Sequence, residues 1–222
     1  MNRRTLPAAA ALVTAAALLL TACGGGDDNK SKKPDKIAGA DDGASKSASP
    51  SSGASASAGA DRPKITLPKD ISYSFDWPKT GNSDEDAILS DSEQFIKAKD
   101  FAIVKQDPLQ EAYRFYTEGE EAASTQEYIS EYVKAKARVT GMDRFYNSKV
   151  TLGTKGTASF SFCEDQSKAY DLYLKTKKVD KTPPANKKDS YVLYNTALRK
   201  NEKNIWLTTK LFSQRGSSKC QP

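Results

Sequence analysis

The 222-residue chain contains no histidine. That excludes Ser-His-Asp and Cys-His catalysis and removes the commonest zinc and iron ligand. Only three cysteines occur, Cys23, Cys163 and Cys220, and none stands at CxxC spacing. A redox or nucleophilic thiol therefore has no supporting motif. No Gly-rich phosphate loop is present, because the glycine run Gly24-Gly25-Gly26 opens a polar stretch rather than a helix pattern. The acids of Asp27 to Asp35 lack the spacing and closing Glu of a calcium loop. Aromatic residues are missing before Tyr73. Apart from proline, no apolar side chain larger than Ala occurs between Ile37 and Ile65. These absences imply no cofactor and no metal, and they confine any packed core to the C-terminal part.

What is present begins with a leader. Arg3 and Arg4 precede an uncharged stretch, and Ala8 to Leu20 is almost all Ala, Val and Leu. This is the pattern of a secretory signal peptide, residues 1–22, to be left out of fold reasoning. It ends in Leu20-Thr21-Ala22-Cys23, which resembles the lipobox of bacterial lipoproteins. The resemblance implies that the Cys23 thiol gains a diacylglyceryl group, that the chain is cut before it, and that the mature N-terminus carries palmitate-like chains. Two acyl chains anchor stably where one gives marginal binding. The expected location is the cell membrane, lipid-anchored, on the extracytoplasmic face. A stretch of this length would also suffice for an uncleaved transmembrane anchor, which needs roughly 20 residues.

Residues 23–67 read as the lipidated cysteine and a flexible linker. Ala38 to Ala60 is almost entirely Ala, Ser and Gly, and such a segment cannot bury enough surface to offset ordering entropy. Residues 24–67 would reach roughly 150 Å fully stretched, or about 35–40 Å as a coil.

Residues 68–222 form the globular part, a length suited to one domain with one core. Ser83 to Asp86 and Ser124 to Glu127 fit capping boxes. Ile88, Phe95, Ala98 and Ala102 recur at helical spacing. Asp107-Pro108 suits a short second helix stopped at Gly119. Tyr128, Tyr132, Ala135 and Val139 form the stripe of a third, closed by Gly141. The period then changes to two. Strands are expected around Tyr146 to Leu152, Ala158 to Phe162, Tyr170 to Leu174, Tyr191 to Leu198 and Ile205 to Phe212. Helices followed by a strand meander argue for an α+β fold with an antiparallel sheet.

That element order, with "SYVLYNTALRKNEKNIWLTTKLFSQRG", "CEDQSKAY" and "GSSKC", resembles the nuclear-transport-factor-two-like superfamily as found in actinomycete lipoproteins. The resemblance covers residues 83–220 and implies N-terminal helices packed on a curved, cone-like sheet. The superfamily hosts isomerases, cyclases, dehydratases and non-catalytic binders, so fold alone does not give function. A cone would draw its pocket lining from Phe160, Phe162, Tyr191 and Trp206.

With Cys23 committed to lipid, Cys163 and Cys220 are an even pair in an exported domain, and a disulfide is their expected state. Carboxylates cluster at Asp84, Glu85 and Asp86, which suits a helix N-terminus. They cluster again at Glu118, Glu120 and Glu121, read as a solvated connection. Lys175 to Lys188 is the sharpest basic excess. It reads as a solvated loop, with anionic wall polymer or lipid headgroups as the functional alternative. Nucleic acid is excluded by location and by the lack of interleaved aromatics. The expectation is a non-catalytic domain that binds a small apolar ligand or an envelope protein. The alternative is an isomerase- or dehydratase-like enzyme. It would use an Asp/Tyr pair, drawn from Tyr146, Tyr170, Tyr173, Tyr191, Tyr194, Asp165 and Asp171.

Overall fold

The first element among the described residues is a strand, β1 (Ile71–Phe75), additional to the expected strands, in which Ile71, Tyr73 and Phe75 alternate with two serines. The computed structural model describes residues 62–222. The leader, Cys23 and the tether up to residue 61 lie outside the described residues. Three helices follow β1: α1 (Ser83–Lys105), α2 (Glu111–Arg114) and α3 (Gly119–Ala135). The remaining strands are β2 (Ala137–Leu152), β3 (Thr157–Tyr173), β4 (Val179–Asp180), β5 (Tyr191–Lys200) and β6 (Trp206–Arg215). They form one six-stranded sheet in the order β1-β2-β3-β5-β6, with β4 on the end of β3. Only β1 runs parallel to its neighbour. The architecture is α+β, with the helices on one face of a curved sheet.

Local chemistry sets the helix ends. Asn82, not Ser83, caps α1: its side-chain oxygen accepts the Asp84 and Glu85 N–H groups at 2.9 and 3.3 Å. Gln106 ends α1 in a left-handed conformation, and its amide donates to the carbonyls of Ile103 and Ala137 at 2.7 and 2.9 Å. Asp107 makes a turn with Leu109 rather than a cap, and α2 starts later, behind Gln110. Gly119 opens α3 instead of stopping α2. Lys136 turns left-handed and ends α3. Val139 and Gly141, which continue the helical stripe in sequence, therefore belong to β2. Gly141 has φ 96, and a Cβ there would stand 2.2 Å from the Lys168 carbonyl oxygen, so the close strand crossing requires glycine.

β3 joins two expected strands into one of 17 residues. Met142 pairs with Lys168 and Arg144 with Asp165, so β3 carries one extra residue in between. This bulge bends the strand and switches which residues face the helices. Phe160, Phe162, Glu164 and Gln166 face inward before it, and Ala169 and Asp171 after it. Cys163 points outward, yet it is buried because the C-terminal tail folds over it. It is disulfide-bonded to Cys220, with Cα atoms 5.4 Å apart. The Tyr146 hydroxyl donates to the Cys220 carbonyl in the same tail.

The folded chain already includes residues before 68. Ile65 packs against the core, and Arg62 reaches a buried carboxylate.

Candidate functional site

Two apolar clusters lie between the helices and the sheet. One is aromatic: Trp77, Phe145, Phe160, Phe162 and Trp206, with Ile88, Leu89, Ile96 and Leu198. The Trp77 ring meets Phe160 edge-on at 5.1 Å between centroids, and Phe160 lies 5.0 Å from Phe162. Of the candidate lining residues, Phe160, Phe162 and Trp206 sit together in this cluster. Tyr191 stands at the start of β5 opposite Asp165, half-buried and outside both clusters. The second cluster gathers Phe95, Ala98, Ala102 and Ile103 of α1 against Tyr116, Ile129, Tyr132, Val139 and Leu207.

A polar belt runs between the two. Asp100 on α1, Asp143 on β2, and Glu164 and Asp171 on β3 are all buried. Three tyrosine hydroxyls donate into the belt: Tyr73 to Asp100 at 2.8 Å, Tyr194 to Glu164 at 2.8 Å and Tyr132 to Asp171 at 3.1 Å. Gln166 donates to Glu164 at 2.6 Å and accepts from Arg215 at 2.9 Å. Register explains the assembly. Tyr73 pairs with Asp143 across β1 and β2, Phe145 with Glu164 across β2 and β3, and Phe162 with Tyr194 across β3 and β5. The β3 bulge then brings Asp171 to the same face. Burial, with the Glu164 charge next to it, pushes the Tyr194 hydroxyl well above its ordinary pKa. It stays a donor.

A separate carboxylate sits at the seam of the two clusters. Asp91 on α1 is fully buried at its side chain, while its partner Arg62 is 21% exposed. Arg62 donates to Asp91 Oδ1, and the Trp206 backbone N–H donates to Oδ2 at 2.9 Å. Desolvation raises the Asp91 pKa, against the lowering effect of Arg62 and Trp206. The Arg62 guanidinium also lies 6.0 Å from the centroid of the Tyr116 ring. Burial raises the Tyr116 hydroxyl, and Arg62 pulls it down. A buried carboxylate thus stands near a tyrosine, as an Asp/Tyr enzyme would need, with an arginine closing it.

Glu121 departs from the expected solvated connection. It lies in the first turn of α3 at 6% exposure, accepting from the Thr125 hydroxyl at 2.9 Å. Desolvation pushes its pKa to about 7. Glu118 instead pairs with Arg199 at the surface, which holds its carboxyl low, and Glu120 is exposed near Lys210.

Of the tyrosines and aspartates singled out in the sequence, Tyr194 and Asp171 reach the belt. Tyr146 is spent on the C-terminal tail, and Asp165 accepts the Ser167 N–H at the β3 bulge. Asp91, Asp100, Asp143, Glu164, Arg62 and Tyr116 are found only in the structure. For Asp91 a signal existed: it falls three residues after Ile88 and four before Phe95, on the apolar stripe of α1. Among the described residues, no group of His, Cys, Asp and Glu is arranged to hold a metal ion. No helix among them is long and apolar enough to cross a membrane.

Compared with known proteins, the chain matches no family model and no curated sequence. Among solved structures it is similar to the intermembrane space region of the chloroplast protein ARC6, with 10% identity and a TM-score of 0.38, over 58% of this chain and 94% of that one. It is similar to Aln2 from a Streptomyces species, with 12% identity and a TM-score of 0.40, over 58% and 90%. It is also similar to a ketosteroid isomerase assignment from Shewanella frigidimarina, with 10% identity and a TM-score of 0.30, over 60% and 98%. At these identities and scores the likenesses say nothing about chemistry.

Proposed function

We propose that this chain is a membrane-tethered extracytoplasmic lipoprotein whose folded domain binds a small polar ligand or an envelope partner without transforming it. The observation that carries the binding reading is the belt. Sinking a carboxylate between apolar layers is costly unless its hydrogen bonds are met. Here four are sunk and three are held in orientation by tyrosine donors. Pre-set acceptors of this kind suit a ligand rich in hydrogen-bond donors or positive charge. The apolar end of the interior is already packed with rings, so the polar belt favours a polar ligand over an apolar one. Native mass spectrometry of the full chain, purified from envelopes in mild detergent, tests this. A retained small molecule that is lost from Glu164→Gln supports it, and bare protein in both cases counts against it.

The enzyme reading rests on Asp91 beside Tyr116. It requires Arg62 to leave, because an ion-paired carboxylate is a poor general base. Turnover of an enolisable carbonyl compound that Asp91→Asn abolishes would favour it.

The tether rests on the lipobox and the linker. Cys23→Ala should move the protein out of the detergent phase of a membrane extract. Retention of the variant through an uncleaved leader would oppose the lipoprotein reading.

A further inference from the structure

Six lysines crowd the segment between β3 and β5: Lys175, Lys177, Lys178, Lys181, Lys187 and Lys188. All six are exposed, and none forms an ion pair among the described residues. Other lysines of the domain do find acids: Lys97 pairs with Glu93, Lys134 with Glu131, Lys200 with Asp84 and Lys210 with Glu120. The two acids of the segment face other work. Asp180 accepts the Thr182 N–H at 2.9 Å, and its pKa is lowered chiefly by that residue's hydrogen bonds. Asp189 is half-buried beside Gly216.

The segment is also built rather than loose. β4 pairs with β3 through Asp171–Asp180 and Leu172–Val179. Asn186 caps a single helical turn, Lys187–Ser190, and Arg215 donates to the Asp189 carbonyl at 2.7 Å. Lys181 is held 5.5 Å over the Tyr170 ring. The cations are therefore presented from a fixed base, which lowers the entropy lost on binding.

Position decides the partner. The chain enters the domain at Arg62, which meets Asp91 and, through it, Trp206 at the β5–β6 hairpin. That hairpin adjoins the Thr157 end of β3, since Thr157 pairs with Arg199. The lysines hang from the other end, after Tyr173. The lysine end is thus the pole of the domain remote from Arg62.

We propose that the lysine segment is a docking surface for a phosphate-rich anionic polymer of the cell envelope. The choice of a polymer over the bilayer at this remote pole rests on the tethered reading, whereas the binding itself does not. The test uses the full chain in neutral detergent, with fluorescent poly(glycerol phosphate) as the probe. Six phosphate contacts predict that affinity falls about 300-fold between 50 and 200 mM salt, from a slope of about 0.7 per contact on a flexible single chain. Replacing all six lysines by glutamine should weaken binding at 50 mM salt by about 100-fold or more. Replacing the ion-paired Lys134 and Lys210 instead should leave it within about threefold. Equal binding by the six-glutamine variant overturns the proposal, as does no binding by the wild type. Binding to phosphatidylglycerol vesicles but not to the polymer overturns it in favour of the bilayer. The polymer assay contains no bilayer, so it reads the same whether or not Cys23 is acylated.

Discussion

The aromatic cluster and the polar belt lie on the same strands and are built in opposite ways. Phe160 and Phe162 on β3 fill space with rings, and two residues on, Glu164 and Gln166 fill it with a hydrogen-bonded network. The first region gains from every buried atom, because apolar burial is non-directional and additive to first order. The second gains only if its partners are all in place, since a buried carboxylate without them costs more than its pair returns. One region therefore tolerates imprecision and the other does not. The rings supply stability, and the belt depends on its partners.

The comparison breaks first at Phe160. Phe160→Ala removes a ring that touches Trp77 and Phe162, and it should lower unfolding stability by about 4 kcal/mol, read from urea denaturation. A loss below about 1 kcal/mol would mean that the cluster is loosely packed. The next test is at the seam. Arg62→Met leaves Asp91 buried without its cation and should cost about 3 kcal/mol, the low end of the range because Arg62 is partly exposed. Adding Asp91→Leu to that variant should restore most of the loss. If the double variant is as weak as the single, Arg62 acts through packing on Tyr116 and not through charge.

A pH titration sharpens the same contrast at Glu121. Its folded pKa is raised to about 7, from an ordinary value near 4.5 in the unfolded chain. Between these values the native state holds the proton more tightly than the unfolded state does. Stability is therefore greatest below pH 4.5 for this group and declines as pH rises toward 7, by up to about 3 kcal/mol. Glu121→Gln should flatten that decline while leaving stability near pH 4.5 almost unchanged. An unchanged slope in the variant would assign the decline to other groups.

Much of the fold is legible in the sequence. α1 announces itself through Ile88, Phe95, Ala98 and Ala102, and the β5–β6 hairpin through alternation around a polar turn, because period and turn chemistry are local signals. The pairing of Cys163 with Cys220 followed from parity and the expected compartment. Boundaries were less legible. The stripe Tyr132, Ala135, Val139 continues at helical spacing through the point where Lys136 turns left-handed, so nothing in the pattern marks the change to β2. β1 has the alternation of a strand, Ile71-Ser72-Tyr73-Ser74-Phe75, but nothing local assigns it a partner, because its pairing with β2 spans α1, α2 and α3. The site was least legible of all. Tyr194 and Asp171 were among the candidates, but Asp100, Asp143 and Glu164 look in sequence like ordinary solvated acids.

By itself, then, the amino-acid sequence determined the absence of histidine chemistry, the low-complexity composition before Ile65, the α+β class and the disulfide. Each depends on composition or on neighbours within a few residues. The tertiary structure decided which charges are buried and with whom. Asp91 and Arg62, Asp100 and Tyr73, and Tyr132 and Asp171 are 27 to 39 residues apart along the chain. Whether a carboxylate is a solvated charge or a buried acceptor depends on what packs over it, and only the helices packed on the curved sheet and the bulge in β3 supply that.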